Sequence, residues 1–271
     1  MISAQVVAPT GELERSGGSA DPRTRFQVAS VSKTFAAAVT LMLVDRGTLR
    51  LGDPVLPGVT VHHLLSHTSG LGQFRDMPSL DLAAGRVSRD LIRQEPLLDP
   101  PGTRWRYSSP GYILLGEVIE HAAHAPYPDV LRELVIGPLG LTDTVVGVRP
   151  VERVAAGHRD GQPIREWDLA ALTGTGDIWS TVGDLTRFAR TLDPGVLDRL
   201  RQPQATLTEP DEDGLTHYGY GLYVGNGLAL HSGDNPGFRS VLAWLPDGRV
   251  AAVLSNDEAD ADPRAVLRDL I

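Results

Sequence analysis

The chain has 271 residues, 41% of them apolar, a formal net charge of −9 and no cysteine. That length can bury a sizeable core as one large domain or two sub-domains. The absence of cysteine excludes disulfides, thiolate metal sites and a cysteine nucleophile, and the negative charge disfavours nucleic acid and anionic membrane as partners.

Ile2–Ala8 reads as a strand, Pro9-Thr10-Gly11 as a turn and Glu12–Arg15 as the returning strand, with 16–25 expected as loop. After Ala29 the pattern is helical through Val44, with Gly47 at C′. This helix is apolar almost all round, which predicts a place at the centre of the protein. Thr60 is expected to cap a short helix, VHHLLSH, that stops at Thr68-Ser69-Gly70; Gly72–Ser79 is expected as loop and Ser88–Glu95 as helix. After the break at Pro100-Pro101-Gly102 come helices at Gly111–Ala123 and Asp129–Val135, then Gly-rich loop at Thr173–Asp177. Thr181 and Asp184 have capping-box spacing for a helix to Leu192. From Tyr218 the period changes to two. Strands around Tyr220–Val224 and Leu228–Leu230 join at Gly225-Asn226-Gly227, and Arg239–Leu245 pairs with Arg249–Ser255 around Pro246-Asp247-Gly248. Asp262–Ile271 closes the chain as a helix.

Strands at both ends and helices between them predict an α+β fold, an α/β sandwich. Its antiparallel β-sheet is built from both termini and flanked by helices, with an inserted mostly helical sub-domain. We expect one domain over 1–271, with a sheet sub-domain at about 1–55 and 215–271 and a helical sub-domain at about 56–214. MISAQVVAP has no basic start and no long apolar stretch, and Phe35–Val44 is too short to span a bilayer, so a cytoplasmic location is expected.

Lys33 is the sole lysine among 25 Lys plus Arg, so 24 are arginine. A buried lysine can lose its proton, whereas arginine cannot. Ser30 stands three residues earlier, one helical turn away, where the amine reaches its hydroxyl. The helix start adds unpaired N–H groups and a positive dipole end that favour developing negative charge. A serine hydroxyl becomes a nucleophile when a base takes its proton. S-x-x-K alone is a weak signal, and the bland alternative is an N-cap beside a surface lysine; the buried helix favours the catalytic reading. Tyr107-Ser108-Ser109 precedes a helix, and a tyrosine hydroxyl beside a cationic lysine has its phenolate favoured. His231-Ser232-Gly233 ends a predicted strand, where Gly233 would let a substrate backbone approach.

These three pieces in this order resemble the serine β-lactamase and penicillin-binding protein superfamily, whose signatures include S-x-x-K. The nearest branch is the class C β-lactamase-like group of D-Ala-D-Ala carboxypeptidases, D-aminopeptidases and esterases. Besides SVSK, YSS and HSG, the resemblance includes LLSHTSGL at 64–71, PLGLTDT at 138–144, STVGDL at 180–185 and PGF at 236–238. It implies the β-lactamase/transpeptidase-like fold. It also implies that Ser30 is the acylated nucleophile, Lys33 its proton-transfer partner and Tyr107 the general base or acid on the leaving group. His231 would replace the basic residue of the K-T-G element, and the N–H groups of Ser30 and Asp234 would form the oxyanion hole. Two departures stand out. Ser109 replaces the usual Asn, which weakens substrate-amide recognition, and Asp234 brings a carboxylate that would repel acidic substrates.

The implied function is a serine hydrolase acting on a small-molecule ester, amide or short peptide, including D-amino acid peptides, with no cofactor and no metal. Carboxypeptidase, β-lactamase, acyltransferase and an inactive binding or sensor domain are the alternatives on the same fold. His63 and His67 are four apart, but no H-E-x-x-H is present, so His62, His63 and His67 are read as structural. Gly174-x-Gly176 lacks the third glycine of a dinucleotide fingerprint. Oligomeric state is not readable.

Overall fold

A computed structural model describes residues 1–271 apart from 83, 166–168 and 260–261. Its centre is helix α1 (Ser32–Asp45), in which every residue from Ser32 to Leu41 is buried. The apolar run leaves this helix no solvent face, so neighbours must cover it all round. Phe35 stacks on Phe188 with ring centroids 3.9 Å apart. The helix ends at Arg46, and Gly47 follows at φ +74°, the left-handed conformation that closes a helix without a Cβ clash.

The main sheet has eight strands. In chain order they are β1 (Ile2–Val7), β2 (Leu13–Gly18), β3 (Ala205–Thr206), β4 (His217–Tyr218), β5 (Tyr223–Gly225), β6 (Leu228–Asn235), β7 (Phe238–Trp244) and β8 (Val250–Ser255). Across the sheet they run β3-β4-β5-β6-β7-β8-β1-β2, every pair antiparallel. The first strand docks on the last, with Ile2 opposite Ser255 and Val7 opposite Val250. Alternation then makes two cores. Leu242, Trp244, Ala252 and Leu254 pack on the α1 side, while Val241, Ala243, Ala251 and Val253 pack with Leu267 of the terminal helix (Pro263–Leu270). Both faces of β7 and β8 are therefore covered, which is the expected α/β sandwich.

A smaller sheet flanks the turn that carries Ser30. Phe26–Gln27 pairs with Ile178–Ser180, which pairs in turn with Val145–Val146. The sequence reading had no helix at Pro194–Arg201, where Asp193 caps Val196 N and Pro194 takes the first turn. Strand β2 continues to Gly18, through residues expected as loop. The Thr181/Asp184 cap forms by half. Thr181 Oγ1 accepts from Asp184 N, but the Asp184 carboxylate turns away to accept from Asp143 N and Thr144 Oγ1, each at 2.8 Å. That contact ties PLGLTDT to STVGDL. Among the described residues, no helix is long and apolar enough to cross a membrane.

Candidate active site

Ser30 lies in a single 3-10 turn, Ala29–Val31, just ahead of α1. Ala29 has φ +47°, a left-handed conformation unusual for a residue with a Cβ. It is fully buried, and the packing around it holds that conformation. Ser30 sits on the floor of a cleft of about 780 Å³, whose walls include Gln73, Tyr107, Thr175, Gly233 and Arg264.

Lys33 Nζ lies 2.9 Å from Ser30 Oγ and donates to the carbonyl of Thr175 at 3.1 Å. Its amine also sits over the Tyr107 ring, 4.9 Å from the centroid. Burial pushes Lys33 well below the ordinary lysine range, with Asp177 opposing this in part. The neutral amine thus favoured can accept the hydroxyl proton of Ser30.

Tyr107 behaves otherwise than the sequence suggested. Its hydroxyl reaches the side chains of Ser30 and Ser109, and both contacts favour ionisation, yet burial pushes it well above the ordinary phenol range. The phenolate is not favoured, because desolvation of the hydroxyl, with Tyr223 beside it, outweighs those two contacts. Tyr107 therefore presents an O–H that can donate.

His231 is corrected too. Burial, then the field of Lys33, brings it down to about 3. The neutral ring is fixed between two partners, with Nδ1 2.6 Å from the Ser232 carbonyl and Nε2 3.1 Å from the Tyr218 hydroxyl. Nδ1–H therefore donates and Nε2 accepts. It supplies no positive charge in place of the K-T-G base. The strand does not end there either, since β6 runs on to Asn235. Strand β5 pairs with β6 only at Leu228–Leu230, so from His231 onward that edge of β6 is not paired by β5.

Gly233 has a different reason from the one its motif suggested. A Cβ there would lie 2.4 Å from Ser240 Oγ, 2.4 Å from the Val28 carbonyl oxygen and 2.9 Å from Ala29 Cβ. The space that a side chain would take belongs to the turn carrying Ser30, while the Gly233 backbone lines the cleft. Ser240 Oγ donates to Val28 O at 2.7 Å, which locks the turn against β7. Asp234 faces Arg239 across the β6–β7 ladder and is exposed. Partial desolvation raises its carboxyl above the ordinary range, although Arg239 opposes that.

Ser109 is not left alone where the motif usually has Asn. Gln73 Nε2 donates to Ser109 Oγ at 3.1 Å, and Gln73 Oε1 accepts from Ser109 N at 3.2 Å. A carboxamide thus returns to this wall from a different segment, with a second Nε2 hydrogen left for a ligand. The sequence reading had only a loop over Gly72–Ser79. A glutamine in a loop gives no local signal, because its position here depends on Ser108, which caps the helix Ser109–Ala123 and donates to Gly72 O at 2.8 Å.

The histidines of the LLSHTSGL region serve the fold. His62 Nδ1 is 2.7 Å from Tyr220 Oη, His63 Nδ1 accepts from Thr60 N at 3.2 Å, and His67 Nδ1 accepts from Ser108 N at 3.2 Å.

The chain matches the β-lactamase family model over residues 4–271. It belongs to this family of β-lactamase-like serine hydrolases. It is 28% identical over 285 residues to penicillin-binding protein 4* of Bacillus subtilis (strain 168), an alignment covering 90% of this chain and 63% of that protein. It is 34% identical over 197 residues to esterase EstB of Burkholderia gladioli, covering 58% of this chain and 50% of that protein. The chain thus spans between half and two thirds of the length of these two curated relatives. Among solved structures, D-amino acid amidase from Ochrobactrum anthropi SV3 superimposes with a TM-score of 0.83 at 27% identity, over 100% of this chain and 95% of that one.

Proposed function

We propose that this chain hydrolyses small esters or amides, D-amino acid amides and short D-peptides included, through an acyl-enzyme on Ser30. The observation that carries this is the 2.9 Å contact between Ser30 Oγ and a buried lysine amine whose surroundings favour its neutral form. In the first step Ser30 Oγ attacks the substrate carbonyl carbon while its proton passes to Lys33 Nζ. The N–H groups of Ser30 and Asp234 receive the oxyanion, a contribution of about 3 kcal/mol for one such donor. The tetrahedral intermediate collapses as the leaving group takes a proton from the Tyr107 hydroxyl, which is refilled from the Lys33 ammonium. Water then enters, gives its proton back along the same route and releases the acid, restoring Ser30.

Gln73 supports amides beside esters. Its free Nε2 hydrogen offers the hydrogen bond to a substrate carbonyl that Ser109 alone is too short to make. The test is a hydrolysis panel of p-nitrophenyl esters, D-amino acid amides, D-Ala-D-Ala peptides and a chromogenic cephalosporin, run on wild type and Gln73→Ala. We expect esters and D-amino acid amides to turn over faster than the cephalosporin, and Gln73→Ala to reduce amide more than ester turnover. Efficient cephalosporin hydrolysis with little esterase or amidase activity would contradict the assignment.

A further inference from the structure

The loop that holds Lys33 through the Thr175 carbonyl also carries a buried carboxyl that the steps above do not use. Asp177 is 1% exposed, and neither of its carboxyl oxygens makes a hydrogen bond of ordinary geometry among the described residues, although the N–H groups of Asp177 itself and of Gly174 lie near enough to favour its charged form. Buried carboxylates are ordinarily paired or fully hydrogen-bonded, because an unpartnered one is costly. Its main chain is anchored, since its carbonyl accepts from Gly147 N at 2.8 Å. The same short loop carries Thr175, whose carbonyl holds Lys33 Nζ. One loop therefore presents Lys33 with both a fixed dipole and a titratable group.

We propose that Asp177 is a positioning residue that sets the proton load on Lys33, acting as a buried counter-charge. The proposal rests on Lys33 being the base for Ser30. Taking the Ser30 proton creates a cation in a site with almost no water, and a carboxylate nearby offsets part of that cost. Burial raises Asp177 to about 7, against the pull of nearby N–H groups and of Lys33. The other titratable groups around it belong to neighbouring helices. Tyr127, whose own hydroxyl is buried without a partner among the described residues, feels the Asp177 charge, and Tyr112 and Glu120 act on Tyr127 in turn. All three are neutral or acidic, so Lys33, once protonated, is the cation that favours the charged form of Asp177. Two groups coupled in this way lose their protons as a pair rather than singly.

Asp177→Asn tests this, because it keeps the shape and removes the charge. The burst of p-nitrophenolate released from p-nitrophenyl acetate on acylation of Ser30 is followed from pH 5 to 9. Without its counter-charge Lys33 gives up its proton more easily, so the acidic limb of the acylation rate should move to lower pH by about one unit, the scale on which a nearby opposite charge acts. The weaker base should also lower the plateau by about tenfold. A uniform loss of rate with an unmoved limb would mean that Asp177 has a structural role alone and would overturn the proposal. Release of p-nitrophenolate by wild type no faster than by Ser30→Ala would instead remove Lys33 and Ser30 from the chemistry.

A second measurement serves if Asp177→Asn does not fold. A raised carboxyl makes the folded state bind an extra proton between the ordinary carboxyl range and about 7, so wild type loses stability as pH rises through that window. Lys33→Met removes the cation that favours the charged carboxylate, and should move this loss to higher pH. Because Lys33→Met also removes the titration of Lys33 itself, the carboxyl is read directly by 13C NMR, and an Asp177 titration identical in wild type and Lys33→Met would overturn the proposal.

Discussion

Gly233→Ala separates a packing role for this glycine from a substrate role. Its φ is not in the left-handed region, so alanine fits the backbone and the objection is space alone. The new methyl would start 2.4 Å from both Ser240 Oγ and Val28 O, roughly 1 Å inside ordinary contact. Ser240 can rotate away, but that removes its 2.7 Å bond to the buried Val28 carbonyl. Val28 O is backbone, so relief on that side must shift the turn that carries Ser30. Overpacking costs about 1–3 kcal/mol, and a buried acceptor left without its donor about 1–3 kcal/mol more. At about 2–4 °C per kcal/mol for a chain of this size, Tm should fall by about 4–24 °C. A displacement near 1 Å at the nucleophile should slow acylation by about a hundredfold. The assay is thermal melting together with the acylation burst, repeated on Gly233→Ala/Ser240→Ala, which should recover part of the Tm loss because one of the two close contacts is gone. A Gly233→Ala protein with wild-type Tm and burst rate, and only a raised KM, would return the glycine to a substrate-facing role and refute the packing argument.

Lys33→Arg and Lys33→Met should both lose about two or more orders of magnitude in acylation, the range general base steps supply, since arginine keeps its proton even when buried. Lys33→Arg acylating near the wild-type rate would take the lysine out of proton transfer. Asp184→Ala strips the acceptor from Asp143 N and Thr144 Oγ1, both buried, and should cost about 2–4 kcal/mol in a denaturant titration without touching Ser30. An unchanged midpoint would show that water replaces the carboxylate there.

Where the sequence was informative, one residue pattern decided the outcome locally. The helix from Ser32 was legible because its apolar residues leave no polar face, and the same fact foretold a buried Lys33. The turn at Asn226-Gly227 was legible because both residues take positive φ, as a tight hairpin requires. Much of the site depends instead on burial, which a linear sequence does not display. Tyr107 and His231 were assigned charge behaviour suited to well-hydrated groups, and desolvation of the Tyr107 hydroxyl and of the buried His231 ring reverses it for both. The contact of Gln73 with Ser109 spans 36 positions and follows no period. Gly233 was read against an imagined substrate, while its neighbour is Val28, which the sequence places far away. The helix Pro194–Arg201 was left unassigned, although an Asp cap followed by Pro is a start signal.

The central claim is that Ser30 is acylated with Lys33 as its base. It is tested most directly by intact-mass spectrometry after exposure to a fluorophosphonate, followed by peptide mapping, at matched pH for wild type, Ser30→Ala and Lys33→Met. The account predicts one adduct on wild type, mapped to Ser30, none on Ser30→Ala, and an adduct on Lys33→Met that forms at least about a hundredfold more slowly. An adduct on another residue, or one that forms on Lys33→Met as fast as on wild type, would contradict it.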